Sequence, residues 1–182
     1  MDGAKNLNLR KSLLSLAALC VAAGLASPHA MAGTSPARAV VVKRLSFVKV
    51  DNLHFGQIIP SSGQSLIVLS PTSVRTKTGN VVLVGSKHKA AAFAGFGAQN
   101  QTVTISIGAT QIFITGPGTQ MRVDQWTIGS TPATALTTNP QAFFIGSATG
   151  AFQFTVGARL RVNSNQAPGN YTGNWIINLN YQ

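Results

Sequence analysis

Between Phe152 and Asn163 apolar and polar positions alternate without a break. Phe152, Phe154, Val156, Ala158, Leu160 and Val162 fall on one side, and Gln153, Thr155, Gly157, Arg159, Arg161 and Asn163 on the other. A period of two marks a β-strand with one face on a core and the other in water. The C-terminus repeats the pattern: Trp175, Ile177, Leu179 and Tyr181 alternate with Asn174, Asn178, Asn180 and Gln182, and Ile176 breaks it. Val103, Ile105 and Ile107 alternate with Thr102, Thr104 and Ser106. Shorter strands are expected at Leu45–Val50, Leu53–Ile59, Ser65–Leu69, Asn80–Val84, Ala91–Phe96, Gln111–Ile114, Met121–Ile128 and Ala142–Ile145. Turn-forming clusters such as Ser61-Ser62-Gly63, Gly116-Pro117-Gly118 and Ala167-Pro168-Gly169-Asn170 separate them. No stretch has a helical period and no tandem repeat is present. Many short strands at this spacing predict an all-β sandwich or barrel.

Composition agrees with the pattern. Glutamate, a strong helix former, does not occur at all, whereas serine, threonine, asparagine, glycine and valine dominate after residue 33. The N-terminus is different in kind. Lys5, Arg10 and Lys11 precede an uncharged apolar stretch from Ser12 to Ala26, then Pro28 and the small-residue site Ala30-Met31-Ala32. This is the layout of a secretory signal peptide over residues 1–32, cleaved after Ala32. The stretch is shorter than the roughly 20 residues of a membrane-spanning helix, which argues against an anchor. Leu19 before Cys20 is not the small residue that a lipoprotein attachment site needs. Residues 33–182 are then one exported β-domain with no integral membrane segment, bound for the periplasm, the cell surface or the medium. Cys20, the sole cysteine, departs with the signal, so this domain carries no disulfide and no thiolate.

Charge narrows the partners. The whole chain carries a net charge of +11. Residues 33–182 keep eleven of the fourteen lysines and arginines and two of the three acids, Asp51 and Asp124, which leaves +9. Such a surface attracts anionic partners, acidic polysaccharide among them, but the basic residues are spread along the chain and read more simply as charges that keep an otherwise neutral surface soluble. Nucleic acid is not expected, because single-strand binding wants aromatic residues interleaved with the basic ones and no such segment occurs.

Catalytic chemistry finds little to work with. Paired carboxylates would have to be Asp51 and Asp124, and each reads more simply as a turn or surface residue. His54 and His88 are the only histidines after residue 33, and their spacing matches no metal-ligand motif. His88 lies in a basic segment, Ser86-Lys87-His88-Lys89, that reads as a solvated turn. There is no G-x-S-x-G elbow and no phosphate-binding glycine loop. The expectation is a protein that is not an enzyme and uses neither cofactor nor metal.

Several segments resemble a known family. Leu53-His54-Phe55-Gly56, Met121-Arg122-Val123, the Phe152–Val162 strand, the run Asn165-Gln166-Ala167-Pro168-Gly169-Asn170-Tyr171-Thr172-Gly173 and the closing Asn180-Tyr181-Gln182 are similar to elements of a family of secreted bacterial domains. That family is catalogued as being of unknown function and is related to fimbrial pilins and spore-coat-protein-U-like secreted proteins. Tyr181, a penultimate aromatic, and Gly169, fourteen residues from the end, also resemble the C-termini of subunits assembled by the chaperone–usher route.

The resemblance implies an immunoglobulin-like, pilin-like β-sandwich that lacks its last strand. A periplasmic chaperone would pair with the C-terminal strand, here marked by Gly169, Trp175, Ile177, Leu179 and Tyr181. At an outer-membrane usher, an N-terminal extension of the next like subunit would replace it. Burying four or five apolar side chains in this way is worth on the order of 8–12 kcal/mol before entropy costs. The candidate donor is Thr34–Leu45, with Ala37, Ala39 and Val41, or Val40 and Val42, as the apolar plugs. It departs from the family pattern: Pro36, Arg38, Lys43 and Arg44 make it short and poorly alternating, and it can equally be read as the domain's own first strand. Many fimbrial subunits also carry a disulfide. The function implied is a structural or adhesive subunit, and the alternative is a self-complete secreted domain that binds an anionic cell-surface glycan.

Overall fold

The computed structural model describes residues 36–129 and 132–182. The expected signal peptide, residues 1–32, lies outside the described residues. Residues 36–40 are exposed and belong to no strand. Residues 41–182 form a unit of their own, and no helix occurs among the described residues. Its strands are β1 (Ser46–Asp51), β2 (Gln57–Ile59), β3 (Ser65–Leu69), β4 (Arg75–Thr78), β5 (Val82–Val84), β6 (Ala91–Phe96), β7 (Thr102–Ile107), β8 (Gln111–Ile114), β9 (Met121–Ile128), β10 (Thr134–Ala135), β11 (Gln141–Phe144), β12 (Ala151–Val162) and β13 (Ile177–Tyr181).

The long alternating strand β12 organises the larger sheet. On one edge β6 pairs with its first half, Ala151–Val156, and β3 with its second half, Ala158–Val162. On the other edge lies β9, so that Arg159 has Val68 on one side and Asp124 on the other. Beyond these, β1 lies on β6, β4 on β3, and β8 and β10 on β9, giving eight strands. Gly157 sits where β12 passes from β6 to β3. A Cβ there would collide with the Leu69 carbonyl oxygen and fall 2.6 Å from the carbonyl carbon of Ser70, so only glycine allows the two partners to follow each other so closely. A second sheet has β7 in the middle, flanked by β11 and β13, and β2 and β5 form a separate pair.

The two larger sheets share one core. Ile67, Val123, Trp126, Val156 and Leu160 of the eight-stranded sheet and Ile105 and Ile107 of β7 are at most 3% exposed and belong to one cluster. Each such side chain contributes roughly 1.5–3 kcal/mol by leaving water. The result is an all-β, sandwich-like domain.

Five strands span the residues expected of them: Ser65–Leu69, Ala91–Phe96, Thr102–Ile107, Gln111–Ile114 and Met121–Ile128. Leu53–Ile59 shortens to β2 because Gly56 turns with φ 82°, although Leu53, Phe55 and Ile58 still pack on the core. The C-terminal strand begins at Ile177, two residues after Trp175. The hairpin partner β4 was not expected at all.

Candidate functional site

β13 pairs with β7 and with no other strand among the described residues. The register places Ile177 opposite Ile107, Leu179 opposite Ile105 and Tyr181 opposite Val103. Gly108 N–H donates to Ile176 C=O at 2.9 Å, and Gln182 N–H donates to Thr102 C=O at 3.1 Å. In an antiparallel ladder these bonds alternate, so Ile176, Asn178, Asn180 and Gln182 direct their backbone groups toward β7. Ile177, Leu179 and Tyr181 direct theirs away from it, to an edge with no strand on it among the described residues. Ile177 and Leu179 meanwhile turn their half-buried side chains onto the core. An edge of this kind offers a row of unpaired donors and acceptors to any strand laid beside it.

The segment leading into β13 closes one side of a groove of about 1080 Å³. Its floor includes the core side chains Met121, Val123, Trp126, Leu160 and Val162, and its walls are residues 52–60 and 166–175. Trp175 lies at the foot of β13, outside the strand, with its ring 4.7 Å from that of Trp126 and edge-on to Phe93 at 5.7 Å. The opposite wall is held by Arg75. Its Nη1 donates to Phe55 C=O at 2.8 Å, and its Nη2 donates to Gly85 C=O at 3.0 Å, tying the β2–β5 pair to β4.

The 166–175 wall is fixed by a polar corner. Tyr171 Oη donates to Ala167 C=O at 2.9 Å and accepts from Gly118 N–H at 3.0 Å and from Gln166 Nε2 at 2.8 Å. Gln166, only 7% exposed, also accepts from Asn163 Nδ2 at 2.9 Å. Gly169 lies in this corner, not on the strand. Its φ is 143° and a Cβ there would fall 2.5 Å from Pro117 Cγ, so the position is closed to larger residues.

At the far end of β13, Tyr181 is a latch. Its hydroxyl accepts from Ala98 N–H at 2.6 Å and donates to Lys43 C=O at 2.6 Å. Ala37 and Ala39 are exposed and unpaired, and Val41 is 95% exposed. Among the described residues the first strand starts at Ser46, so residues 36–45 are not part of the sheet.

The acids and histidines lie apart from the groove's apolar floor. Asp51 ends β1 and pairs with Lys89 at 2.8 Å. His54 is exposed, with its Nδ1 accepting from Gly56 N–H at 2.9 Å. His88 is half-buried, in contrast to the solvated turn expected of it, and its Nδ1 has no partner among the described residues. Among the described residues no three His, Cys, Asp or Glu side chains gather into a metal site.

Asp124 corrects another expectation. It is not in a turn but on β9, 8% exposed. Arg159 Nε donates to Oδ1 at 2.7 Å and Arg161 Nε to Oδ2 at 3.0 Å. Arg122 Nε also stands 3.0 Å from Oδ2, but its N–H is not aligned for a hydrogen bond, so it contributes charge alone. Burial pushes the Asp124 carboxyl up, and the hydrogen bonds and charges of Arg159 and Arg161 overcome this and hold it below its ordinary value. Basic residues scattered along the sequence are thus gathered on one face. The signal for this was available in the alternation, which puts Arg159 and Arg161 on one side of β12 and Arg122 and Asp124 on one side of β9.

The arrangement as a whole can do two things. It can pair a strand along β13 and receive apolar side chains in the groove at the foot of that strand, and it can present guanidinium groups on the outer face of the large sheet. In comparisons with known proteins, the family model described as Domain of unknown function (DUF4402) matches residues 45–181. No curated protein and no solved structure matches the chain.

Proposed function

We propose that the chain, which belongs to the DUF4402 family, is an exported, non-catalytic structural or adhesive subunit whose open β13 edge is filled by a strand of another chain. The observation that carries this reading is the outer edge of β13, unpaired among the described residues, with a groove that reaches the core at the foot of that strand. The strand order favours an immunoglobulin-like sandwich. In this reading β1, β6, β12 and β9 would take the places of strands A, B, E and D, while β7 and β13 would take those of C and F. No described strand stands in the place of G. Tyr171 has the position and the bond of a tyrosine corner: it stands between E and F with its hydroxyl on the backbone four residues upstream. Two features depart from the variable-type pattern. β11 flanks β7 like a C′ strand but follows β9 in the chain, and β3 and β4 extend the sheet from β12 although they lie between β1 and β6 in the chain.

The occupant of the G position would be a periplasmic chaperone strand at first and residues 33–45 of a like subunit afterwards, with an outer-membrane usher as the place of exchange. Ala37, Ala39 and Val41 are exposed and available for this. Pairing would satisfy the outward N–H and C=O groups of Ile177, Leu179 and Tyr181, each bond contributing about 0.5–1.5 kcal/mol net. The larger gain would come from apolar side chains entering the groove.

The test is assembly. Residues 33–182 made alone should form oligomers or be of low stability, and deleting residues 33–44 should abolish head-to-tail association. A stable monomer whose behaviour is indifferent to the deletion would overturn the proposal. Tyr181→Ala should also weaken capture by a co-encoded chaperone, and undiminished co-purification would count against that step.

A further inference from the structure

The outer face of the large sheet carries a second kind of site. Two rows of side chains cross it. Phe113 on β8 stands beside Arg122 on β9, which stands beside Arg161 on β12. In the neighbouring row Gln111, Asp124 and Arg159 take the same three strands. Asp124 is the only acid in this array, so three guanidinium groups face one carboxylate.

The way the carboxylate is shared matters. Arg159 and Arg161 each spend Nε on Asp124. Among the described residues, neither donates a hydrogen bond from Nη1 or Nη2, and Arg122 donates only from Nη1, to Gln111 Oε1 at 3.3 Å. Asp124 therefore orients the guanidinium groups without consuming the fork-like ends that recognise oxyanions bidentately. The side chains of Arg122 and Arg161 are 34% and 27% exposed, so these ends reach solvent. Beside them Phe113 is 51% exposed on the same face. An exposed ring with a negative π-face suits the C–H side of a sugar. The hydroxyls of Thr76 and Thr78, exposed on β4, extend the same sheet outward.

From this juxtaposition we infer that the outer face of β8, β9 and β12 is a binding site for an acidic polysaccharide, with Arg122 and Arg161 holding its carboxylate or sulfate groups and Phe113 stacking on a sugar ring. Nucleic acid fits less well. A single strand wants several stacking platforms, and this face offers one exposed ring. A duplex is read by elements that enter a groove, and this face is a sheet surface. The site does not depend on what pairs with β13.

The experiment is binding of residues 33–182 to immobilised polygalacturonate, which supplies carboxylates, and to dextran sulfate, with neutral dextran and duplex DNA as comparisons. Binding to at least one acidic polysaccharide should fall with salt. Arg122→Gln, which leaves Arg159 and Arg161 on Asp124 and so preserves the fold, should weaken it by roughly tenfold, the scale of one charged hydrogen-bonding pair. Phe113→Ala should weaken it by about threefold or more, on the same scale as other aromatic contacts. The double variant Lys49→Gln/Lys87→Gln removes more charge from exposed positions elsewhere and should change it less than about twofold, as screened charges do. Thermal melting checks that each variant is folded. Equal losses in the arginine and lysine variants, DNA binding as tight as polysaccharide binding, or no binding to either acidic polysaccharide would overturn the inference.

Discussion

Replacing Tyr181 by phenylalanine keeps the ring in place and removes one oxygen. That oxygen joins three parts of the domain: the last residue of β13, the backbone after β6 at Ala98, and Lys43 ahead of β1. The lost bonds are Ala98 N–H to Oη and Oη to Lys43 C=O, both 2.6 Å. Lys43 is exposed, so water can take over its carbonyl at a cost of about 0.5–1 kcal/mol. Ala98 is half-buried, and leaving its N–H without a partner costs about 1–2 kcal/mol. The sum is about 2 kcal/mol, or more than tenfold in the folding equilibrium. Two assays read it. Urea unfolding should show the loss of stability with an unchanged slope. Trypsin should cut after Lys43 or Arg44 about two- to fivefold faster, because of the two lost bonds only that to Lys43 holds the segment and cleavage follows the population of the opened segment. A stability within about 0.5 kcal/mol of the parent, together with unchanged cleavage at these two residues, would refute the latch.

Asp124→Asn leaves Arg122, Arg159 and Arg161 without their counter-charge. It should destabilise the fold at neutral pH by about 2–3 kcal/mol, below the roughly 3–5 kcal/mol of a fully buried pair because the arginines are partly exposed. The carboxyl is held below its ordinary 3.8, so its contribution is complete above that value and is lost as pH falls through the folded one. Chemical denaturation from pH 6 down to pH 2 should therefore show a steeper decline in the parent than in Asp124→Asn, and parallel curves would contradict the clamp. Tyr171→Phe removes the hydroxyl shared by Ala167, Gly118 and Gln166 and should cost about 1–3 kcal/mol in thermal or urea unfolding; a neutral result would dismiss the corner. Gly157→Ala should cost at least about 1–3 kcal/mol through overpacking against Leu69 and Ser70, read as a lower melting temperature. An unchanged melting temperature would mean that the β6-to-β3 junction on β12 can spread.

Much of the architecture was legible where strands lie half in a core. Ser65–Leu69 and Met121–Ile128 carry their own boundaries, because apolar positions and flanking turn residues agree. β4 is Arg-Thr-Lys-Thr, an outer strand with no apolar alternation, and its identity comes from pairing with β3 rather than from its own residues. Trp175 continues the alternating pattern but not the strand: its ring fills space against Trp126 and Phe93 while its backbone is still leaving the corner. The arginine array shows the same limit. Each strand's polar side is readable alone, but the register that sets Arg122 beside Arg161 and Asp124 beside Arg159 is a property of pairing over a long sequence separation. The open edge of β13 is likewise a fact about neighbours, which a pattern along one segment cannot contain.

The central claim, that the outer edge of β13 is where another chain adds a strand, is tested most directly by backbone hydrogen exchange. In the isolated chain Asn178, Asn180 and Gln182 direct their N–H groups to β7 and should be protected, while Ile177, Leu179 and Tyr181 should exchange fast. After assembly, or on addition of a chaperone, all six should be slow. Alternating protection that becomes uniform is the predicted result. Protection of Ile177, Leu179 and Tyr181 already in the isolated monomer, or continued fast exchange of these three after assembly, would contradict it.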